Sequence, residues 1–552
     1  MAQQCATRTT AGAADGSNGA VTVSYGAYAA RAGLEALKQG GGAIDAAMTT
    51  ALTQVALTAG APISYFGIMS LVYFEARTGR VTTMNAEWNT VAAETDPMSI
   101  PGAVDFAPGT LPLGKEPSGR TALVGGFMKG VEAAHTRFGR LPFAALFQPA
   151  IELAETGTPV NDSVAWCYEQ RHDDLARLPE TREALLKPDG SRYREGETLL
   201  QPKLAATLRR IAAEGAGYMY GGEWGERLVK AVQADGGRMT LQDLKDYEVI
   251  WADALTADIG DGYSIATAPW PNSGGVAMIE AQNLARVAGL AKGAHWTKSS
   301  AALCTALDVS QLMALMFLPP EGLADLYPGI DFSPEARVTL AHAEKLWAHI
   351  ANGSGVSNWK RTSPMHSDDV VAIDAEGNIA SVTHSINSVL WGKTAINVDG
   401  ISIGDPASFQ QPLVAQTRPG ERLPAPTETG VLFKDGEPVL GFASMGAGLH
   451  QRTFQALLNY TCFGMTVQEA INTPDFYVPS FDPRTGEATV TVPAGRFDHA
   501  VLEGTGLAWQ EVDGEHALMA GEGLWVAIER DPATGRLSAG SHNRNNSAAV
   551  AY

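Results

Sequence analysis

The spacing of hydrophobic and polar positions predicts long helices in the first half of the chain. Apolar residues recur at helical spacing over 27–39, and three glycines follow. The next segment, 43–59, is apolar on nearly every side, which is typical of a buried helix. Helical periodicity returns at 125–157 and 203–236.

Pairs of β-rich runs around turn sequences predict four hairpins. The runs are 68–76 with 80–88, the two halves of 366–387 about the turn 375–378, the two halves of 431–444 about Asp435-Gly436, and the two halves of 524–540 about Asp531-Pro532. Helices are predicted at 450–464 and 466–476. Because no Gly/Ser-rich or Pro-rich linker divides the first 340 residues, these patterns predict one layered α/β body.

Charge and composition restrict the classes of partner. The 552 residues include 40 Lys and Arg against 60 Asp and Glu, a net charge of −20. This acidic balance argues against a nucleic acid or an anionic membrane as partner. The chain shows no apolar stretch of membrane-spanning length and no secretory leader, so we expect a cytoplasmic protein, or a periplasmic one if a leader has been removed.

Common cofactor and metal motifs are missing from the sequence. The four cysteines form no CxxC pair, the 11 histidines lack metal spacing, and no phosphate-binding GxxxxGK[ST] motif occurs, so we expect neither a metal nor a cofactor. Ser357 and Lys360 match the SxxK spacing of serine acyltransferases, without the companion motifs of that class. Ser367, taken alone, is a polar residue that precedes a strand.

Several segments, in order along nearly the whole chain, resemble the gamma-glutamyltranspeptidase family of N-terminal-nucleophile hydrolases. They are ARAGLEALKQGGGAIDAAMTTAL (30–52), 137–160, 199–222, 239–249, 268–283, HSDDVVAIDAEGNIASVTHSIN (366–387), LFKDGEPVLGFASMGAG (432–448), 457–476 and the closing SAAVAY. The resemblance implies an α/β fold, a four-layer αββα sandwich, in which one intertwined domain is built from two processed segments.

The resemblance also implies that the chain cleaves itself. The family's nucleophilic Thr aligns without a gap to Ser367, so cleavage is expected between His366 and Ser367. The products would be a large segment, 1–366, and a small segment, 367–552, which stay together as an αβ heterodimer, alone or paired as (αβ)2. The freed α-amino group, with an ordinary pKa of about 7.7–8.0, would then serve as the base for the Ser367 hydroxyl.

Four further positions match site residues of the family. Gly446 and Ala447 align with the Gly-Gly pair whose backbone N–H groups stabilise the substrate oxyanion, and Ala is acceptable there if its backbone angles permit. Ser385 and Asn387 align with residues that orient the nucleophile and contact substrate. Outside the resemblance, a glycine-rich turn and a strand end are the alternative interpretations.

Departures from the family argue against a glutamyl substrate. Glu87 stands where the family binds the substrate carboxylate with an Arg, and Ala425-Pro426 replace its Ser-Ser pair, while an acidic residue survives nearby at Asp405. Aromatic residues instead suit a larger apolar or aromatic group, ordinary packing being the alternative for each: Tyr65, Phe66, Trp88 and Trp391. Asp368 and Asp369 could hold the new α-ammonium, bind a cationic substrate, or face water.

The sequence thus leads to one main hypothesis and two alternatives. The main hypothesis is a self-processing amidohydrolase or acylase that cleaves an amide of a small molecule, or an ester or carbamate, through an acyl-enzyme on Ser367. The first alternative is a gamma-glutamyltransferase or glutathione hydrolase whose substrate-binding residues have moved. The second is an unprocessed, non-catalytic binding protein on the same fold.

Overall fold

The computed structural model describes residues 12–101, 103–105, 113–114, 116–313, 320–351, 367–388, 390–477, 480–481, 488–514, 517, 521–544 and 546–552. The fold is mixed α/β, as predicted, and is organised around two seven-stranded antiparallel sheets. All four predicted hairpins are present. No helix in these ranges is long and apolar enough to cross a membrane.

The strands are numbered in chain order. They are β1 Ala14–Gly16, β2 Gly19–Val23, β3 Ile68–Glu75, β4 Arg80–Ala86, β5 Ala103–Asp105, β6 Leu113–Gly114, β7 Thr158–Pro159, β8 Thr198–Leu199, β9 Ile250–Asp253, β10 Leu255–Gly260, β11 Tyr263–Thr267, β12 Ser367–Asp374, β13 Ile379–Ser385, β14 Ile396–Val398, β15 Ile401–Ile403, β16 Thr429–Lys434, β17 Glu437–Met445, β18 Ser480–Phe481, β19 Ala488–Pro493, β20 Ala508–Val512, β21 Leu524–Arg530, β22 Leu537–Gly540 and β23 Ala548–Ala551.

The α-helices are numbered in the same way. They are α1 Ala27–Lys38, α2 Ala43–Leu57, α3 Phe127–Phe138, α4 Gln148–Thr156, α5 Asp162–Leu175, α6 Pro179–Leu185, α7 Pro202–Glu214, α8 Gly217–Tyr220, α9 Glu223–Ala234, α10 Leu241–Lys245, α11 Ser273–Val287, α12 Ser300–Met313, α13 Pro320–Leu326, α14 Pro334–Arg337, α15 Leu340–Ala351, α16 Pro406–Phe409, α17 Gln411–Gln416, α18 Leu449–Thr461, α19 Val467–Asn472 and α20 His499–Glu503.

The two large sheets each combine strands from distant parts of the chain. The first, which we call the Ser367 sheet, has the order β23-β2-β12-β13-β3-β4-β9. The second, which we call the facing sheet, has the order β1-β22-β21-β17-β16-β11-β10. Both sheets contain strands that precede residue 366 and strands that follow it, so neither half of the chain can complete a sheet alone.

Side-chain alternation in β12 shows how the layers pack. Val371 and Ile373 lie in an apolar cluster with Val431 and Val526 of the facing sheet, whereas Val370 lies in a cluster with α1 and α2. This period of two is what a strand buried on both faces requires. On the other side, α11 and α18 pack against strands of the facing sheet.

Candidate active site

Ser367 begins β12, in the interior of the Ser367 sheet. Its side chain is 5% exposed, and it is in register with Ser385 of β13, which pairs in turn with Ile68 of β3. Because alternate residues of a strand share a face, Ser367 lies on the face of Val371, toward the facing sheet. Among the residues described, none forms a hydrogen bond with the Ser367 hydroxyl. Within the described ranges, the hydroxyl is therefore not committed to a structural contact.

Hydrogen bonds between the sheets bring the turn 446–448 to the end of the molecule where β12 begins. Thr383 Oγ1 donates to the carbonyl oxygen of Ser444 at 3.3 Å, and Ser381 Oγ donates to that of Gly430 at 3.1 Å. Thr383 lies two residues before the register partner of Ser367, and Ser444 lies two residues before the turn. The start of β12 and the turn after β17 thus approach each other from opposite sheets.

The backbone of this turn explains which of its residues must be glycine. Gly446 has φ of +91°, a left-handed conformation that disfavours side chains, whereas Ala447 is not among the residues with positive φ. Within the described ranges, neither amide N–H donates a hydrogen bond, while the N–H of Gly448 donates to the carbonyl oxygen of Glu522 at 3.2 Å. Two uncommitted N–H groups in a fixed turn are suited to stabilising negative charge on a carbonyl oxygen.

Asn387 is held beside the start of β12 by its own backbone. Its φ of +46° is left-handed, which Asn tolerates better than most residues, and its N–H donates to Ser385 Oγ at 2.9 Å. The side chain is 3% exposed. Asn387 is therefore bonded to Ser385, which is the register partner of Ser367.

Glu87 follows β4, in the row of the sheet that also contains Ile68, Ser385 and Ser367. The carboxylate is 1% exposed, accepts a hydrogen bond from Thr427 Oγ1 at 3.3 Å, and leaves Oε2 without a partner. Burial raises the pKa of Glu87 to about 7, against a smaller lowering by the charge of Arg422. This end of the row therefore carries an acidic side chain, and one of its two carboxylate oxygens lacks a hydrogen-bond donor.

Arg422 does not replace the family's carboxylate-binding Arg. Its guanidinium already donates to the side chain of Asn89 at 2.6 Å, to the backbone carbonyl of Asn85 at 2.7 Å and to that of Glu248 at 2.6 Å. It also lies over the ring of Tyr247, 4.8 Å from the centroid. These contacts occupy most of the N–H donors of the Arg422 guanidinium, so few remain to bind a ligand.

Three of the four aromatic residues predicted to contact substrate are packed in cores. Tyr65 donates through its hydroxyl to the carbonyl oxygen of Leu52 at 2.7 Å. Phe66 contacts the rings of Tyr220 and Trp224, with centroids 5.9 and 5.5 Å away. These contacts account for both side chains as core packing, so the structure does not assign them to substrate.

Trp391 and Trp88 differ from each other in surroundings. Trp391 packs on Tyr168 at 5.0 Å and donates to the carbonyl oxygen of Ala59 at 2.8 Å, which again is core packing. Trp88 lies in an apolar cluster with Ile68 and is 2% exposed, and its Nε1 has no hydrogen-bond partner. Of the four aromatics, Trp88 is the one that shares a cluster with the row containing Ser367.

Two buried pairs lie near the site, and the sequence points to the residues of only one of them. Glu428 and His450 are hydrogen-bonded at 2.5 Å between the start of β16 and the start of α18, directly after the 446–448 turn. Asp368 and Asp369 both bond to Ser24. The acidic pair was visible as a motif, but its burial depends on the path of β2, and no spacing signal links Glu428 to His450.

Some predicted residues lie outside the described ranges. These are His366, at the expected cleavage point, and the SxxK pair Ser357 and Lys360. In the part of the chain that is described, no group of three or more His, Cys, Asp or Glu side chains is arranged to hold a metal ion.

Comparison with known proteins gives the same family as the sequence motifs. The family profile described as Gamma-glutamyltranspeptidase matches residues 29–552. The chain is 26% identical over 491 residues to "Glutathione hydrolase proenzyme" of Bacillus subtilis (strain 168), covering 84% of this chain and 81% of that protein. It is 28% identical over 482 residues to "Acylase ACY 1 proenzyme" of Pseudomonas sp. (strain SE83), covering 84% and 82%.

A solved structure supports the fold. The cephalosporin acylase from Bacillus halodurans superposes with a TM-score of 0.79 at 22% identity, covering 98% of this chain and 97% of that one. Because the family profile spans nearly the whole chain, this protein belongs to the gamma-glutamyltranspeptidase family and is a hydrolase acting on amide C–N bonds.

Proposed function

We propose that this enzyme is a self-processing acylase that cleaves an amide of a small molecule through an acyl-enzyme on Ser367, and that it is not specific for glutamyl groups. One observation carries the proposal: the Ser367 hydroxyl lies at the end of the sheets where Gly446 and Ala447 offer two N–H groups, and none of the three has a hydrogen-bond partner among the described residues. A nucleophile beside a pair of oxyanion donors is the minimum equipment for acyl transfer.

The first reaction is cleavage of the chain itself between His366 and Ser367. Ser367 Oγ adds to the carbonyl carbon of residue 366, the peptide C–N bond breaks as the C–O ester bond forms, and the Oγ proton passes to the leaving nitrogen. One water then hydrolyses the ester, which restores the hydroxyl and leaves a carboxylate on residue 366. The names of the relatives as proenzymes support this step.

The second reaction is turnover of substrate. The free α-amino group of Ser367 accepts the Oγ proton while Oγ attacks the substrate carbonyl, and it then donates that proton to the leaving amine. The developing oxyanion accepts hydrogen bonds from the N–H groups of Gly446 and Ala447. Asn387 and Ser385 orient the nucleophile, and water hydrolyses the acyl-enzyme.

Processing would leave an αβ heterodimer of 1–366 and 367–552. In the Ser367 sheet, β12 and β13 lie between β2 and β3, so the small segment is inserted between strands of the large one. Separation would break the ladders on both sides. The four-layer αββα arrangement is part of this proposal and is supported by the apolar cluster between the sheets and by the helices on their outer faces.

The acyl group is proposed to be neutral or cationic and partly apolar. Glu87 would repel a substrate carboxylate, Arg422 is occupied by other contacts, and Trp88 adds an apolar wall. A glutamyl substrate remains the competing candidate, because relatives of this chain carry the name glutathione hydrolase.

Hydrolysis of matched anilides tests the proposal. We expect kcat/KM for phenylacetyl and hexanoyl p-nitroanilides to exceed that for the γ-glutamyl anilide by at least about tenfold, because the carboxylate is disfavoured. Ser367→Ala removes all turnover and Ser367→Thr keeps part of it, while Ser191→Ala, at an exposed loop serine, is the control. A preference for the glutamyl anilide would overturn the specificity, and turnover by Ser367→Ala would overturn the nucleophile.

A further inference from the structure

Two adjacent carboxylates lie buried directly after the proposed nucleophile. Asp368 is 1% exposed and Asp369 is fully buried. Ser24 joins them: its Oγ donates to Asp368 Oδ1 and its N–H donates to Asp369 Oδ1, both at 2.9 Å. The Oδ2 atom of each carboxylate has no hydrogen-bond partner. Of the three roles left open by the sequence, exposure to water is thereby excluded.

The path of β2 creates a gap beside these residues. The ladder between β12 and β2 ends at the pair Val370 and Val23, and Ser24 then leaves the ladder. Gln54 of α2 closes the gap from the helix layer, because its Nε2 donates to the carbonyl oxygens of Tyr25, at 2.9 Å, and Asp369, at 3.1 Å. The backbone carbonyl of Asp369 therefore points toward β2.

Strand geometry fixes where the backbone nitrogen of Ser367 points. In an antiparallel strand, the N–H and C=O of one residue point to the same neighbouring strand, and residues two apart point the same way. Since Asp369 directs these groups toward β2, Ser367 does so too. The nitrogen that cleavage would liberate thus faces the gap that Ser24, Asp368 and Asp369 line.

Among the described residues, none supplies a positive charge to balance the two acids. In the described ranges no Lys or Arg forms an ion pair with Asp368 or Asp369. The titratable groups that face them are Tyr25 at the end of β2, bonded by Asn161, and His384, directly opposite Asp368 on β13. Burial lowers the pKa of His384 to about 3, so it is neutral, and its Nδ1 has no partner.

The pKa values of both buried carboxyl groups are raised. Burial, together with the neighbouring Asp369, raises the pKa of Asp368 well above its usual range, and burial raises the pKa of Asp369 to about 7. A cation placed between them would reverse this effect, because an opposite charge within about 4–6 Å favours the ionised carboxylate.

We propose that Asp368, Asp369 and Ser24 form a binding site for the α-ammonium group of Ser367, which comes into being only when the chain is cleaved. This inference rests on the proposed function. In the precursor the site holds unbalanced acids, and in the processed enzyme it holds a salt bridge. Cleavage is thereby coupled to the charge balance of the sheet. The acids hold the protonated amine in position beside the hydroxyl, and the amine acts as the base in its deprotonated form.

A direct measurement is the titration of the Ser367 α-amine in processed protein. The rate at which acetic anhydride acetylates this amine is followed against pH by mass spectrometry of the small segment. The carboxylates stabilise the protonated amine, so Asp369→Asn should lower its midpoint by about one pH unit or more. Asp368→Asn should act in the same direction. Asp173→Asn, at an exposed acid, should leave the midpoint unchanged.

Thermal unfolding at pH 8 gives a second readout. Asp369→Asn should shift the unfolding midpoint in opposite directions in the precursor and in the processed enzyme. In the uncleavable Ser367→Ala background, Asp369→Asn should raise the midpoint by about 2 °C, because it removes an unbalanced buried charge. In processed protein it should lower the midpoint, because it breaks a salt bridge. A purely structural role predicts the same sign in both states.

The outcomes separate this inference from the proposed function. An unmoved amine midpoint in both Asn variants, or the same thermal sign in both states, overturns the binding site even if the enzyme hydrolyses amides. A processed wild type that cleaves no amide overturns the function, yet the amine titration still supports or overturns the site. If one Asn variant fails to mature, the other and Ser24→Ala provide the same measurements.

Discussion

At the scale of residues, backbone conformation decides more of this site than side-chain identity. Gly446 has a left-handed φ and the neighbouring Ala447 does not, so we expect a side chain to be tolerated at 447 and to be disfavoured at 446. Asn387 uses its tolerance of the same region to end β13 beside Ser385. In the proposed mechanism Ser367 contributes a hydroxyl and a nitrogen, and its position in β12 sets the direction of both.

Substitutions in the turn test this distinction. Gly446→Ala places a Cβ at φ of +91° and should displace the N–H groups, so we expect kcat per processed molecule to fall on the order of 10²–10³-fold. Ala447→Gly, the matched control, should change kcat by less than about threefold, since it keeps the N–H donor. Equal losses in both variants would contradict the assigned donors.

The stability of the precursor should depend on Glu87 and pH. The pKa of Glu87 is raised in the folded state, so the folded protein binds more protons than the unfolded chain between about pH 4.5 and 7. Glu87 therefore contributes its full stabilisation below that range. As pH rises through the range, the free energy of unfolding falls by about 3 kcal/mol. Urea unfolding of Ser367→Ala at pH 5 and 8 should show this loss.

Glu87→Gln in the same background should reduce that loss. The exposed Glu195→Gln serves as the control and should leave the pH dependence as it is. If Glu87→Gln keeps the full pH dependence, the burial of an unpaired carboxylate at this end of the sheet is not the cause.

At the scale of elements, periodicity and turn residues were sufficient to predict the hairpins. The turns about Asp435 and Asp531 join β16 to β17 and β21 to β22, as predicted from their sequences. The approach of the 446–448 turn to Ser367 is implied by the family resemblance but could not be predicted from periodicity, because it depends on Thr383 and Ser444 meeting across two sheets. Tyr65 and Phe66 show the same limit, since an aromatic residue has the same sequence signature in a core and in a pocket.

Helix α18 should depend on its bond to β16. His450→Gln leaves the fully buried Glu428 carboxylate without its partner, and we expect a destabilisation of about 3 kcal/mol with a fall in kcat, because α18 positions the turn before it. The double variant with Glu428→Gln should recover most of the stability. His499→Gln, at an exposed histidine, is the control. Independent, additive losses would contradict a coupled pair.

At the scale of the whole molecule, each large sheet combines strands from both sides of the proposed cleavage point. The Ser367 sheet alternates β2, β12, β13 and β3, and the facing sheet joins β1 to β22 and β16 to β11. A cut before Ser367 would therefore change the chain without dividing the fold. If Asp368 and Asp369 bind the new amine as proposed, the cut also has a local electrostatic consequence, since it would place a cation beside two buried carboxylates for which the described residues provide no ion pair.

Intact-mass analysis of purified wild type beside Ser367→Ala is the most direct test of the central claim. We expect two polypeptides from the wild type, 1–366 and 367–552 with a free amino terminus on Ser367, that coelute on gel filtration without denaturant. Ser367→Ala should give one uncleaved chain of 552 residues. A catalytically active wild type whose bond before Ser367 is intact would contradict the account.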